Sequence, residues 1–402
     1  MATTDSIPEV TGSDARHGAG LLVVLTAIPL EQVQSVVGKL TGSLPAEDLI
    51  IAAPGTILKE EYPSLRIVPT AATNASWMIP ASEFVSAYEL AEKNQAGAIL
   101  MLGAECDSLS SQALSELANA ARAPQSDLTV PRYDLGAHAG LISSGILYPL
   151  ARGLFASSVR FPLTLDLGLS LRMAERLAGA ARRLTGPTQG EALLWPVNEA
   201  RVAGFAISQV DAGPRAQPHV TGVDLNAILP LVAGSLFSDI DAKAAFWQRS
   251  RQLPPLSTPI PTPESATQKP SADVTAEIAP MLQAFQLAYS NLQEIWRLVL
   301  PPSSLLGLKR LSATGGAEFR MPDRLWARIV YDFLLAHRLR TINRGHLLGA
   351  LIPLYHAWVA SHFNVVASGT DPEEHIEAVA AAFEADKAYI VSRWRWPDRF
   401  NP

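Results

Sequence analysis

The sequence of 402 residues holds a single cysteine, Cys106, which excludes an intrachain disulfide and a multi-thiolate zinc site. Charge is scarce as well: Asp, Glu, Lys and Arg make up 17% of the chain, against roughly 25% in an ordinary soluble protein. Such a shortfall implies surface hidden between domains or subunits, or a sheet covered on both faces. No basic excess exists, because 32 basic and 38 acidic residues give a net charge of −6; a nucleic-acid partner held by bulk charge is not expected. Long apolar runs are missing too. The longest, such as Leu21 to Leu30, fall well short of the ~20 residues of a membrane-spanning helix. The first twenty residues lack the basic and apolar regions of a secretory signal. Walker A, G-x-G-x-x-G, G-x-S-x-G and H-E-x-x-H motifs are absent. The expectation is a soluble cytoplasmic protein with no membrane span. Its 48% apolar content suffices for a large core, and its length suits two or three domains.

Short apolar runs alternate with helical patterns through the first third of the chain. Residues 1–19 are polar and are expected to form a disordered leader. LLVVLTAI (21–28), DLIIAA (48–53), LRIVPT (65–70) and GAILML (97–102) predict strands. EQVQSVVGKL (31–40), ASEFVSAYELAEKNQ (81–95) and SSQALSELANAAR (110–122) predict helices between and after them. That alternation implies βαβ units and a mostly parallel sheet, with ligands outside the carboxyl ends of the strands. Here those ends are Ala52–Thr56 and Gly103–Asp107.

Residues 127–225 are less regular. Strands are expected at 127–133 and 205–213, and helices at 138–155, 170–184 and 224–250, with Pro149 and Pro230 interrupting two of them. A Pro/Ser/Thr-rich stretch over 251–273 is expected to be a linker or strap. Beyond it the periodicity is helical, in MPDRLWARIVYDFLLAH (321–337) and at about 276–299, 344–364 and 373–393. Trp326, Ile329, Val330, Phe333 and Leu334 share one face there, and Asp323 is a candidate N-cap. The predicted organisation is a leader (1–19), an α/β domain (20–250), a linker (251–273) and a helical C-terminal domain (274–396).

The candidate chemistry lies in loops. Glu105 and Asp107 follow the 97–102 strand, where paired carboxylates can hold Mg²⁺ or Mn²⁺ or simply cap a helix and face water. Arg160 and Asp166 flank the apolar FPLTL, so each is expected to be paired or functional. An Arg160–Asp166 ion pair and a substrate contact are the two readings. Arg215, Gln217 and His219 share a loop after a strand that alone reads as an exposed polar turn. Trp394-Arg395-Trp396 suits either stacking on a sugar or base, or a tail packed on the body.

Together these segments resemble bacterial GT-A glycosyltransferases related to glucosyl-3-phosphoglycerate synthase and mannosylglycerate synthase. ILYPLARGLFASSVRFPLTLDLGLS (146–170) is similar to that group's YPL-x-RALYG and VRQPIGGDFG-x-S. It retains Tyr148, Pro149, Leu150, Arg152, Val159, Arg160, Pro162, Asp166, Gly168 and Ser170. AILMLGAECDSLS (98–110) resembles the strand that ends in Asp-x-Asp, AGPRAQP resembles the LGPK-x-H loop, and three C-terminal segments (319–337, 351–363 and 383–394) resemble the helical extension. The resemblance implies a GT-A fold, a nucleotide-diphosphate sugar donor, a divalent metal and a small acceptor such as glycerate or 3-phosphoglycerate. It also implies retention at the anomeric carbon, and a homodimer is expected.

By the same resemblance Glu105, with Asp107 and His219, would hold metal. Arg215 and Thr164 would bind the donor, Asp166 would orient the acceptor or the reacting sugar, and Arg160 would support Asp166. The group's first carboxylate falls on Gly103, its Gly-Gly pair on Thr164-Leu165, and its loop histidine on Gln217. The donor-binding loop after the first strand is shortened, and the lysine-glycine loop before the helix at 81–95 is missing. Scaffold motifs kept beside an eroded site leave two readings: a glycosyltransferase with a modified site, or a catalytically impaired homologue acting as a nucleotide-sugar-binding or partner subunit.

Overall fold

A computed structural model describes residues 20–25, 28–54, 62–70, 78–184, 192–216, 225–250 and 272–397. The expected leader and nearly all of the Pro-rich linker lie outside these residues. The linker's last two residues, Ala272 and Asp273, belong to the helix that follows.

Seven strands form one sheet: β1 (Leu21–Leu25), β2 (Leu49–Pro54), β3 (Arg66–Thr70), β4 (Ala98–Leu102), β5 (Leu128–Asp134), β6 (Leu167–Ser170) and β7 (Ile207–Pro214), in the spatial order β3-β2-β1-β4-β6-β5-β7. The pairs β1–β2, β1–β4, β2–β3 and β5–β7 are parallel, and β6 runs antiparallel to both β4 and β5. Side chains alternate across the sheet at period two. Leu21, Val23 and Leu25 pack on α1 (Leu30–Thr41), while Leu22 and Val24 pack on the opposite side against α2 (Ala81–Asn94). α3 (Ser111–Arg122) joins the first layer. With both faces covered, β1 and β4 are buried along their whole length, which accounts for part of the low charge content. This is the expected α/β architecture with a mostly parallel sheet.

The short β6 strand was not among the expected elements. Gly168 stands in it because a side chain does not fit: a Cβ there would lie 2.6 Å from the Ala121 Cβ and 3.1 Å from the Ala121 Cα. Gly168→Ala is expected to lower stability by about 1–3 kcal/mol, measured as a shift in the urea midpoint at unchanged m-value.

Of the stretch expected to be helical at 138–155, residues 141–155 are, but not uniformly α. A π-helical turn, Ser143–Leu147, precedes α4 (Tyr148–Phe155). Pro149 has no N–H to give the carbonyl of Gly145 four residues earlier, and that carbonyl instead accepts the indole N–H of Trp326 at 2.7 Å. The wider turn absorbs the proline without breaking the helix.

The remaining helices are α5 (Leu171–Arg183), α6 (Pro196–Ala203), α7 (Leu225–Ala242), α8 (Ala244–Trp247), α9 (Ala272–Asn291), α10 (Gln293–Val299), α11 (Pro302–Ser312), α12 (Asp323–Leu339), α13 (Arg344–Ala367), α14 (Pro372–Ala385) and α15 (Lys387–Arg395). One apolar cluster joins α4 and α7 to the C-terminal helices through Leu150, Phe155, Phe237, Trp326, Trp358 and Phe383. α6 and α11 are additions to the expected elements. Asp323 is the first residue of α12 and not its side-chain cap; its carboxylate meets His375. Trp394 is buried edge-on against Trp247 at 5.0 Å, while Trp396 is exposed, so the first of the two is a packed tail. Among the described residues no helix is long and apolar enough to cross a membrane.

Candidate functional site

The antiparallel direction of β6 brings its amino end beside the carboxyl end of β4, with Leu167 opposite Met101. Asp166, just before β6, therefore reaches Gly103, just after β4, and accepts its backbone N–H at 3.1 Å. β5 and β7 end at the same edge and bring Tyr133 and Arg215. The Arg215 Nε donates to Asp166 Oδ2 at 2.6 Å and its Nη2 to Oδ1 at 3.3 Å. The Tyr133 hydroxyl donates to Asp166 Oδ2 at 2.5 Å and lies 2.8 Å from the Thr164 Oγ1. Arg215 also donates to the carbonyls of Ala104 and Ala216 and lies over the Tyr133 ring.

Asp166 is fully buried and Arg215 nearly so. Burial alone would lower the Arg215 pKa, but the Asp166 carboxylate and Tyr133 raise it above its ordinary value. Burial, then Asp166, holds the Tyr133 hydroxyl well above the usual phenol range. The same two causes, in the same order, raise the Cys106 thiol, so Cys106 is an inert core residue.

Arg160 does not pair with Asp166. Its Nε and Nη2 donate to Glu373 of α14 at 3.0 and 2.9 Å, and Nη2 also to the Ser144 hydroxyl at 2.9 Å. The expected Arg160–Asp166 pair is corrected on both sides: Asp166 takes Arg215, and Arg160 fastens the helical body to the loop before β6. The reason is topological. β6 directs Asp166 to the sheet edge, whereas Arg160 stands under α14, between the rings of Tyr148 and Phe161.

Glu105 sits in the left-handed region, at φ 63°, a conformation uncommon for a residue with a side chain. Its carbonyl accepts from the Ser108 hydroxyl at 2.6 Å, and that hydroxyl accepts the Ala216 N–H at 3.0 Å. The turn is thus tied to the Arg215 segment. Among the described residues the Glu105 carboxylate has one distant donor, Gln32 Nε2 of α1, at 3.5 Å. Lys39 donates to the backbone carbonyls of Asp107 and Leu109, which brings an ammonium group to the same turn. His219 and Gln217 lie outside the described residues.

Glu105 and Asp107 therefore share one turn, and Asp166, Thr164 and Arg215 share one buried network beside it. Among the described residues no three His, Cys, Asp or Glu side chains converge on one point; Glu105 and Asp107 are the carboxylates there that could hold a divalent ion together with a ligand's phosphates. At Gly103, a Cβ would lie 2.6 Å from the Leu165 Cβ, so a carboxylate at that position would require Leu165 to move. Tyr133 was not singled out from sequence. Its signal was weak, a tyrosine near the end of a predicted strand, and only the strand order brings it to Asp166.

No family model matches the chain, and no curated protein matches it. Solved structures similar to it include glucosyl-3-phosphoglycerate synthase from Mycobacterium tuberculosis in complex with Mn²⁺, UDP-glucose and phosphoglyceric acid, at 14% identity, covering 56% of this chain and 79% of that one, with a TM-score of 0.38. The same enzyme with Mg²⁺ and UDP gives 14% identity, 56% and 79% coverage and a TM-score of 0.37. A structure described as a mycobacterial protein gives 12% identity, 56% and 74% coverage and a TM-score of 0.37.

Proposed function

We propose that this chain is a GT-A-type glycosyltransferase that moves a sugar from a nucleoside-diphosphate sugar to a small hydroxy-acid acceptor, of the glycerate or 3-phosphoglycerate kind, with retention. The observation that carries this reading is the meeting of the Gly103–Asp107 turn with the Asp166–Tyr133–Arg215 network at the carboxyl edge of the sheet, the place where open α/β sheets take their ligands. The sequence resemblance supplies the class of reaction.

In this reading the donor lies against the Gly103–Asp107 turn, with the Glu105 carboxylate as its polar contact. Asp166 is not free to contact the substrate, because its two oxygens already accept from Arg215, Tyr133 and Gly103. It instead fixes the floor beneath the reacting sugar, so that the dipoles there need no reorganisation during reaction. Thr164 orients the Tyr133 hydroxyl. Arg215 neutralises Asp166 and steadies the turn through the Ala104 carbonyl. Arg160 acts at a distance, by seating α14. No step is assigned to a metal. A soluble cytoplasmic homodimer belongs to the same proposal.

Leu165 favours a second reading. Its side chain occupies the space beside Gly103, as expected of an impaired homologue that binds a nucleotide sugar or a partner without transferring the sugar. Calorimetry with UDP-glucose, GDP-mannose, UDP and GDP, with and without Mn²⁺, followed by product analysis with glycerate and 3-phosphoglycerate, separates the two. Binding with turnover supports the transferase, and binding without turnover supports the impaired homologue. Absence of nucleotide binding at millimolar concentration rejects the transferase. Glu105→Ala is expected to weaken nucleotide binding about tenfold, the loss of one charge-assisted contact; unchanged binding removes Glu105 from the site.

A further inference from the structure

Away from the sheet edge, two buried histidines face each other where α13 meets α14. The Nδ1 atoms of His362 and His375 are 2.7 Å apart, so one carries a proton and the other a lone pair. The outer ring, His375, presents Nε2 to Asp323 Oδ1 at 3.3 Å, at the start of α12. With Asp323 ionised, the hydrogen-bond network assigns the protons in one order. His375 Nε2–H donates to Asp323, His375 Nδ1 accepts from His362 Nδ1–H, and His362 Nε2 is left bare. That last nitrogen is buried with no hydrogen-bond partner among the described residues.

The surroundings resist a second proton. His362 is fully buried, and it is faced by His375 from α14, His138 from the 135–140 loop and Arg160 from the loop before β6. Only the Ala137 carbonyl acts in the opposite sense on His362, while Asp323 of α12 and Glu373 of α14 hold His375 and Arg160 respectively. Burial first, then His375, pushes His362 down to about 3.

We propose that the Asp323–His375–His362 chain is an acid-labile latch that holds the first turn of α14, and with it the Glu373–Arg160 ion pair, against the α/β layer. Glu373 lies two residues before His375 in that turn, so both contacts open together. When the first turn of α14 lifts away, the His362 ring on α13 loses the cover of His375 and returns toward its ordinary value near 6.5. Because the closed form has the depressed value, the latch is at full strength above that pH and weakens as pH falls. Each unit below it makes opening about tenfold easier for one proton taken up. This inference is independent of the proposed sugar chemistry.

Hydrogen exchange on the full chain, corrected for the intrinsic pH dependence of amide exchange, tests it. Between pH 7.5 and 5.0, protection of residues 371–378 is expected to fall about 30-fold, from one proton over the 1.5 units below 6.5, while β1 and β4 change far less. His362→Phe keeps a ring without a titrating nitrogen and is expected to reduce the drop to under about threefold. His362→Asn, whose amide can donate in place of Nδ1–H, serves as a second variant if the first does not fold, and the wild-type comparison decides by itself if neither does. An equal fall in the sheet and in 371–378, or a 30-fold drop that survives in a folded variant, overturns the latch.

Discussion

Replacing Asp166 by alanine is expected to destabilise the protein by about 3–5 kcal/mol, the range found when one partner of a buried ion pair is removed. Without Asp166 the guanidinium of Arg215, nearly inaccessible to water, keeps as hydrogen-bond acceptors among the described residues only the carbonyls of Ala104 and Ala216. The Gly103 N–H and the Tyr133 hydroxyl lose their acceptor as well. The larger part of the loss is thus the penalty for an uncompensated charge. Asp166→Leu combined with Arg215→Met removes both charges together and is expected to recover most of the stability. Urea unfolding of Asp166→Leu, Arg215→Met and the double variant gives the coupling energy. If the Asp166 variant loses less than about 1 kcal/mol, in the range of a surface pair, the buried network described here is wrong.

Trp326→Ala is expected to lower stability by about 3–5 kcal/mol. Trp326 is fully buried, stacks on Trp358 at 5.9 Å and donates to the Gly145 carbonyl. Its loss opens a cavity and leaves unsatisfied the acceptor that Pro149 cannot serve. Trp326→Phe separates the two effects. A phenyl ring restores most of the packing but no donor, so a residual loss of about 1–3 kcal/mol is the cost of the orphaned carbonyl. Equal stability of the Phe variant and the parent protein in chemical denaturation shows that water satisfies Gly145 instead.

The alternation of buried strands and amphipathic helices through residues 21–122 was legible because it is local. A continuous apolar run in β1 and a period of 3.6 in α2 are written in consecutive residues. The helices of the C-terminal region were legible for the same reason. Local pattern could not reveal β6, whose four residues are too few to show a period, nor the π turn at Ser143–Leu147, where a proline contradicts an otherwise helical pattern.

Partner choice was the least legible. Arg160 and Asp166 are six positions apart and oppositely charged, yet each bonds a residue distant in sequence, Glu373 and Arg215. By itself the sequence determined the class of layers, the stretches that lie buried and the residue types available at the sheet edge, since these follow from periodicity and composition. The tertiary structure alone decided which charges meet, that Leu165 fills the space beside Gly103, and that two histidines thirteen residues apart share a proton. Those outcomes depend on strand order and helix crossing, which bring together side chains that no sequence spacing relates.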